Sequence, residues 1–177
     1  FKDIYICVAG PDTNAMANIF FISQGLDEHG IPKYHDMASE MGVADKGYST
    51  MAVFLDYDKD GDLDLFILTN AMEGVLRSMI RPIRKDGSSP STDRLYRNEG
   101  NGTFTNVSTE TGIMIEGYGL GVCVCDINMD GWPDIYCSND FISNDLLYIN
   151  NGDGTFTEMA GEYFSHFTHN GMGMDIA

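Results

Sequence analysis

Basic residues are scarce in this chain, which carries 10 lysines and arginines against 27 aspartates and glutamates and has a formal net charge of -17. Sequence-independent binding to nucleic acid needs a basic surface that displaces counterions from the phosphates. The charge balance therefore excludes that class of protein, and we expect no nucleic-acid partner.

Long apolar runs are also absent. No run approaches the roughly 20 residues that a membrane-spanning helix needs, so we expect a chain that does not span a membrane. The opening FKDIYICVAG has neither the basic start nor the small-residue cleavage site of a signal peptide. Any export signal is therefore invisible in these residues.

Catalytic and transition-metal motifs are lacking as well. The chain has no G-x-S-x-G, no H-E-x-x-H and no P-loop, which argues against an enzyme. The four cysteines show no zinc spacing, and we expect them to be small buried residues without disulfides. The histidines have no metal-ligand spacing beyond a loose His166 and His169 pair.

What the chain does contain is a repeat. LYRNEGNGTFTNVS at 95–108 recurs as LYINNGDGTFTEMA at 147–160, and FFISQGLDEHGIPKYHDMA at 20–38 is a degenerate earlier copy. An acidic stretch repeats in phase with it, as VFLDYDKDGDLDLFILTN at 53–70 and CVCDINMDGWPDIYCSND at 123–140. Self-similarity at such a period is typical of repeat architectures.

Each unit reads as four short strands, at roughly 50–56, 63–69, 93–98 and 103–108 in the best copy. No helical stretch is long enough to act as a crossover, so the sequence predicts an all-β fold of four-stranded antiparallel β-propeller blades. Gly119 and Gly121 should mark a close approach of inner strands. We divide the single partial propeller into a blade remnant (1–48), a blade (49–118) with an insertion (71–94), a blade (119–168) and the start of another (169–177). The insertion should form a short helix and then an exposed loop.

Two acidic loops carry the strongest chemical signal. The first acidic loop, 56–64, and the second acidic loop, 126–134, share oxygen-bearing residues at positions 1, 3, 5 and 9 and a glycine at position 6. Oxygen ligands at this spacing suit calcium, whereas an EF-hand would need a glutamate at position 12. That position holds Ile67 or Cys137, so the pattern predicts two strand-loop-strand calcium sites.

These loops, the repeated LYRNEGNGTFTNVS and LYINNGDGTFTEMA, and the final GMGMDIA resemble FG-GAP or VCBS repeats of integrin-α-like propellers. The chain is similar in particular to bacterial ASPIC/UnbV and cartilage acidic protein-like proteins. The resemblance implies about three blades of a seven-bladed propeller, and an extracellular or cell-surface location. It also implies two bound Ca²⁺ ions, with the ligands Asp56, Asp58, Asp60, Asp62, Asp64, Asp126, Asn128, Asp130, Trp132 and Asp134.

A local basic patch is not explained by the repeat. It consists of Arg77, Arg81, Arg84, Lys85, Arg94 and Arg97. Such a patch could dock an acidic partner, a polyanionic glycan or a neighbouring acidic blade of the same or another chain, or it could be a solvated loop. The main hypothesis is a non-catalytic calcium-binding module for adhesion or for binding a protein or glycan. The alternatives are a calcium-dependent lyase-like propeller enzyme and a structural spacer in a surface assembly.

Overall fold

A computed structural model describes residues 1–10, 17–71, 81–140, 143–167, 171, 172 and 174. These residues form the strands β1 (Ile4–Ile6), β2 (Ile19–Leu26), β3 (Pro32–Asp36), β4 (Ser49–Leu55), β5 (Asp64–Thr69), β6 (Arg94–Asn98), β7 (Phe104–Asn106), β8 (Gly119–Cys125), β9 (Asp134–Asn139), β10 (Leu146–Asn150) and β11 (Phe156–Glu158), with two short helices, α1 (Ser108–Thr111) and α2 (Ala160–Tyr163). None of the described helices has the length and apolar character needed to cross a membrane.

The strands form three antiparallel sheets in which chain neighbours pair. Blade 1 contains β1–β3, blade 2 contains β4–β7 and blade 3 contains β8–β11. Leu65 lies opposite Tyr96 in blade 2, and Ile135 lies opposite Tyr148 at the same place in blade 3. The register is the same in both blades although the connection from β5 to β6 contains the insertion and the connection from β9 to β10 does not. The predicted fold class, all-β with propeller blades, is confirmed.

Successive side chains of a strand point to opposite faces of its sheet, and blade 2 buries apolar side chains on both of its faces. One face of blade 2, with Leu65 and Ile67, packs against Phe20 and Val43 of the blade 1 region. Its other face packs against blade 3, in a cluster that includes Leu55, Phe66, Leu68, Leu95, Ile135, Cys137 and Tyr148. Two inter-blade cores therefore hold the stack together.

Glycine permits the inner strands to approach closely. A Cβ atom on Gly119 would overlap the Leu68 side chain of blade 2, so only glycine fits there. The hydroxyl of Thr50 donates to the Gly119 carbonyl at 2.9 Å, which adds a polar link between β4 and β8. The predicted close approach is confirmed at this position.

Blade 1 has three described strands, and β1 occupies the place that β5 and β9 hold in the other blades. Ile4 and Ile6 are 44% and 39% exposed. Their repeat equivalents Leu65 and Ile67, like Ile135 and Cys137 of blade 3, are completely buried at 0%. The outer face of blade 1 is therefore built like an inter-blade face but lies open in this chain.

The cysteines and the insertion differ in part from expectation. All four cysteines are free, as predicted, but only Cys137 is buried and the other three are half-buried.

The insertion's expected helix falls on residues 72–80, outside the described residues. Its tail is not the fully exposed loop that was predicted, because Ser89 and the segment 91–93 are buried. Backbone hydrogen bonds pair this tail with residues 114–117, for example from Gly117 to Ser91, so it covers the connection between blades 2 and 3.

Candidate metal centre

The first acidic loop joins β4 to β5. It turns through Lys59 (φ 59°) and Gly61 (φ 95°), and it brings together carboxylate oxygens of Asp56, Asp58 and Asp64 that all lie within 4.8 Å of one another. Three anionic groups this close repel one another unless a positive charge lies between them. The cluster therefore has the composition and size of a site for a hard cation.

The hydrogen bonds of this cluster leave one oxygen free to bind a ligand. Asp64 is fully buried, and its two oxygens accept the backbone N–H groups of Tyr57 at 3.1 Å and Asn98 at 2.8 Å. By contrast, Asp56 Oδ1 is buried and has no hydrogen-bond partner. A buried, unpartnered carboxylate oxygen is costly, and a bound cation would remove that cost. The residues present therefore fit the calcium that the sequence pattern implies.

The pKa values of this loop reflect the same crowding. The pKa of Asp64 is raised to about 6, mainly by burial and also by the charges of Asp58 and Asp60, although its two backbone hydrogen bonds lower it. Burial and the charge of Asp60 also raise the pKa of Asp58. A cation in the cluster would lower both values, because it favours the charged carboxylates.

The remaining predicted ligands of the first acidic loop lie at its exposed end. Asp60 is exposed, and its Oδ1 accepts the backbone N–H of Asp62 at 2.9 Å. Asp62 is half-buried, and the hairpin turn between β6 and β7 passes close to it, since a Cβ on Gly100 would lie 2.9 Å from Asp62 Oδ2. Neither carboxylate belongs to the central group of three.

The second acidic loop, between β8 and β9, has a different hydrogen-bond state. Both oxygens of Asp126 accept backbone N–H groups, from Asp130 at 3.0 Å and Gly131 at 2.8 Å. The Asn128 side-chain amide donates to Asp130 Oδ2, and the N–H of Trp132 donates to Asp130 Oδ1, both at 2.8 Å. Position 3 of this loop is Asn128, so the positions equivalent to Asp56, Asp58 and Asp64 carry two carboxylates and one amide.

The ninth position is nonetheless the same in every blade. Asp134 accepts the backbone N–H groups of Ile127 and Asn150, at 2.8 Å and 2.9 Å, just as Asp64 accepts its two. Asp3 of blade 1 accepts the N–H of Ser23 at 2.8 Å. This aspartate therefore ties the loop to the third strand of its own blade, which is a structural role besides any metal binding.

The structure contains a second set of side-chain hydrogen-bond acceptors that repeat from blade to blade, and the sequence pattern did not single them out. Side-chain oxygens of Asn18, Asp93 and Asp145 accept the backbone N–H near the end of the second strand of each blade, from Val8, Thr69 and Asn139 respectively, at 2.7 Å, 2.9 Å and 2.9 Å. The signal was present, because DRLY at 93–96 and DLLY at 145–148 extend the repeat upstream. Burial raises the pKa of Asp93 to about 7, even though hydrogen bonds from Thr69 lower it.

The two acidic loops contact each other across the interface of blades 2 and 3. The Lys59 ammonium lies 4.2 Å from the centre of the Trp132 ring. Beneath this contact, the buried Asn150 side-chain amide donates to the Tyr57 carbonyl at 2.8 Å. The loops are therefore neighbours in one surface region rather than separate sites.

The insertion's basic residues are engaged within the chain in several places. Arg81 forms a bidentate ion pair with the buried Glu116, whose other partners are Arg84 N–H and the Ser89 side chain. Burial raises the pKa of Glu116, but these hydrogen bonds, with the Arg81 charge, outweigh it and lower the pKa to about 2. This ion pair anchors the start of the described insertion tail.

The other members of the predicted basic patch are divided. Arg94 donates to the Thr92 and Asp93 carbonyls, and Arg97 pairs with Glu99 and Glu110. Arg84 and Lys85 are exposed, whereas Arg77 lies outside the described residues. The structure does not bring the described members together as one free basic surface, so the docking interpretation has its best support at Arg84 and Lys85.

Comparison with known families gives one finding. The model of the FG-GAP-like repeat matches twice, at residues 84–137 and 126–177, and the two matches together span more than half of the chain. No curated protein matches it. The narrower resemblance to ASPIC/UnbV proteins stays a prediction. The repeated blades and the family match together assign the chain to the FG-GAP-like repeat family.

Proposed function

We propose that this propeller-like repeat module binds calcium through its acidic loops and so stabilises its blades. The observation that carries the proposal is the buried, unpartnered Oδ1 of Asp56 beside Asp58 and Asp64. Asp60 and the Asp62 carbonyl complete the oxygen set in the first acidic loop. Bound calcium would neutralise the carboxylates and fix the turn between β4 and β5, which stabilises the folded over the unfolded chain.

The second acidic loop would bind less readily. Its ligand set is Asp126, Asn128, Asp130, the Trp132 carbonyl and Asp134. Both oxygens of Asp126 already accept backbone N–H groups, so a bound cation would relieve less unmet charge there than at Asp56. We therefore expect the first loop to fill at a lower calcium concentration than the second.

The module acts outside the cell or at its surface as a non-catalytic adhesion or ligand-binding unit. Extracellular modules bind calcium at roughly 0.1–1 mM, so sites of that affinity would suit this location. Its partners are a protein or glycan ligand and neighbouring blades of the same or another chain. The exposed Ile4 and Ile6 support the second kind of partner, because their equivalents are buried between blades.

Thermal unfolding with calcium and with excess chelator tests the proposal. Calcium at millimolar concentration should raise the Tm of the chain, and Asp56→Asn should lose most of that rise, whereas Asp126→Asn should lose a smaller part. Glu40→Gln removes one exposed charge outside the loops and should keep the full rise. A Tm that is unchanged by calcium, or a rise that Glu40→Gln reduces as much as Asp56→Asn, would contradict the proposal.

A further inference from the structure

Lys59 reaches from the first acidic loop to the second. It occupies position 4 of its own loop, between Asp58 and Asp60, in the left-handed backbone conformation. Its exposed side chain nevertheless ends over the ring of Trp132, 4.2 Å from the ring centre. A cation stacked on an aromatic face at this distance is attracted by the ring quadrupole, so Trp132 holds the ammonium group at the second loop.

The ammonium lies against the backbone of that second loop. A Cβ atom on Gly131 would be 3.5 Å from Lys59 Nζ, which places the charge against the loop backbone between Asp130 and Trp132. The positive charge of blade 2 therefore acts on the acidic loop of blade 3.

A buried hydrogen-bond chain keeps the two loops in this relation. Asn150 donates its side-chain amide to the Tyr57 carbonyl of the first loop at 2.8 Å. The backbone N–H of the same residue donates to Asp134 Oδ1 of the second loop at 2.9 Å. Lys59 therefore projects from a base that is fixed relative to the loop it contacts.

We propose that Lys59 is a tethered counter-ion of the second acidic loop and lowers that loop's affinity for calcium. This inference rests on the proposed function. A divalent ion that enters the second loop meets the ammonium charge, and the two cations repel each other. The equivalent residue of the second loop is Met129, which is 90% exposed and carries no charge. The second acidic loop therefore has no positive charge at the position of Lys59.

The test measures the second loop alone, in an Asp56→Asn background that disables the first. Calcium affinity comes from calorimetry and from terbium luminescence sensitised by Trp132, which is the single tryptophan of the chain. Lys59→Met should tighten binding at the second loop about threefold or more, and added salt should shrink the gain because it screens the charge. Lys59→Arg keeps the charge and should stay near the parent affinity. Lys33→Met, an exposed charge on β3, is the matched control.

Each outcome bears on one proposal. Unchanged or weaker binding in Lys59→Met overturns the counter-ion role, and so does an equal gain in Lys59→Arg or Lys33→Met. Failure of the chain with both loops intact to bind calcium or terbium overturns the proposed function instead. Melting of each variant in chelator shows whether it is folded. If Lys59→Met does not fold, Lys59→Gln takes its place with the same expected gain.

Discussion

The two acidic loops have one spacing and two electrostatic states. In the first, oxygens of Asp56, Asp58 and Asp64 converge, and Asp56 Oδ1 is left without a partner. In the second, Asp126 is satisfied by backbone N–H groups, and Asp130 receives the side-chain amide of Asn128. The same ligand pattern has therefore produced one loop with an unmet need for a cation and one loop that is internally satisfied.

Position 3 of the loop accounts for one part of this difference, and the backbone N–H groups that face Asp126 account for the other. The carboxylate form of Asp58 can only accept hydrogen bonds, so it cannot satisfy a neighbouring carboxylate. Asn128 offers two amide hydrogens and donates one to Asp130 at 2.8 Å. One amide in place of one carboxylate also removes a negative charge and its repulsion. A ligand count alone therefore does not tell how strongly a loop needs its ion.

The largest effect should come from the position at which the loops agree. Asp64→Ala and Asp134→Ala each leave two backbone N–H groups without their acceptor. Each unpaired group costs about 1–3 kcal/mol where it is buried, so each variant should lose about 2–6 kcal/mol of unfolding free energy. Urea unfolding in chelator measures this loss independently of calcium. A large loss in one blade and none in the other would show that the shared geometry is not equally important.

Much of this architecture was predictable from the sequence. The period of the LYRN and LYIN copies gave the strands, and the residues at positions 1, 3, 5 and 9 marked both loops. The hydrogen-bond state of each loop was not predictable, because it depends on which backbone N–H groups the fold places beside Asp56 and Asp126. The burial of the insertion tail was likewise hidden, since polar residues such as Ser91 and Thr92 read as a loop until their partners are known.

The next largest effect on stability should come from Asp93, which lies at a position that repeats in each blade. Asp93 accepts the N–H and hydroxyl of Thr69, and blade 1 uses the neutral Asn18 at the same place. Burial raises the pKa of folded Asp93 from its ordinary 3.8 to about 7, and the Thr69 hydrogen bonds only partly oppose this. Folded Asp93 therefore keeps a proton that the unfolded chain releases above about pH 4, and stability should fall as the pH rises from about 4 to about 7.

Asp93→Asn should remove this slope, because the amide keeps an acceptor oxygen and does not ionise. The difference in unfolding free energy between the Asp93→Asn variant and the parent chain should grow with pH towards an upper limit on the order of 4 kcal/mol. Urea unfolding from pH 4.5 to pH 8, with chelator throughout, measures it. Equal slopes in the two chains would mean that Asp93 does not titrate in this range.

The smallest expected effect tests the comparison directly, by exchanging position 3 of the two loops. Asp58→Asn supplies an amide that can donate to Asp60, so the first loop should be more stable in chelator and gain less from calcium. Asn128→Asp should do the reverse in the second loop. Each change should be about 1 kcal/mol, or roughly 2–4 °C in Tm for a chain of this size. If both variants shift in the same direction, position 3 is not the cause, and the difference between the loops must lie in the backbone N–H groups that face Asp126.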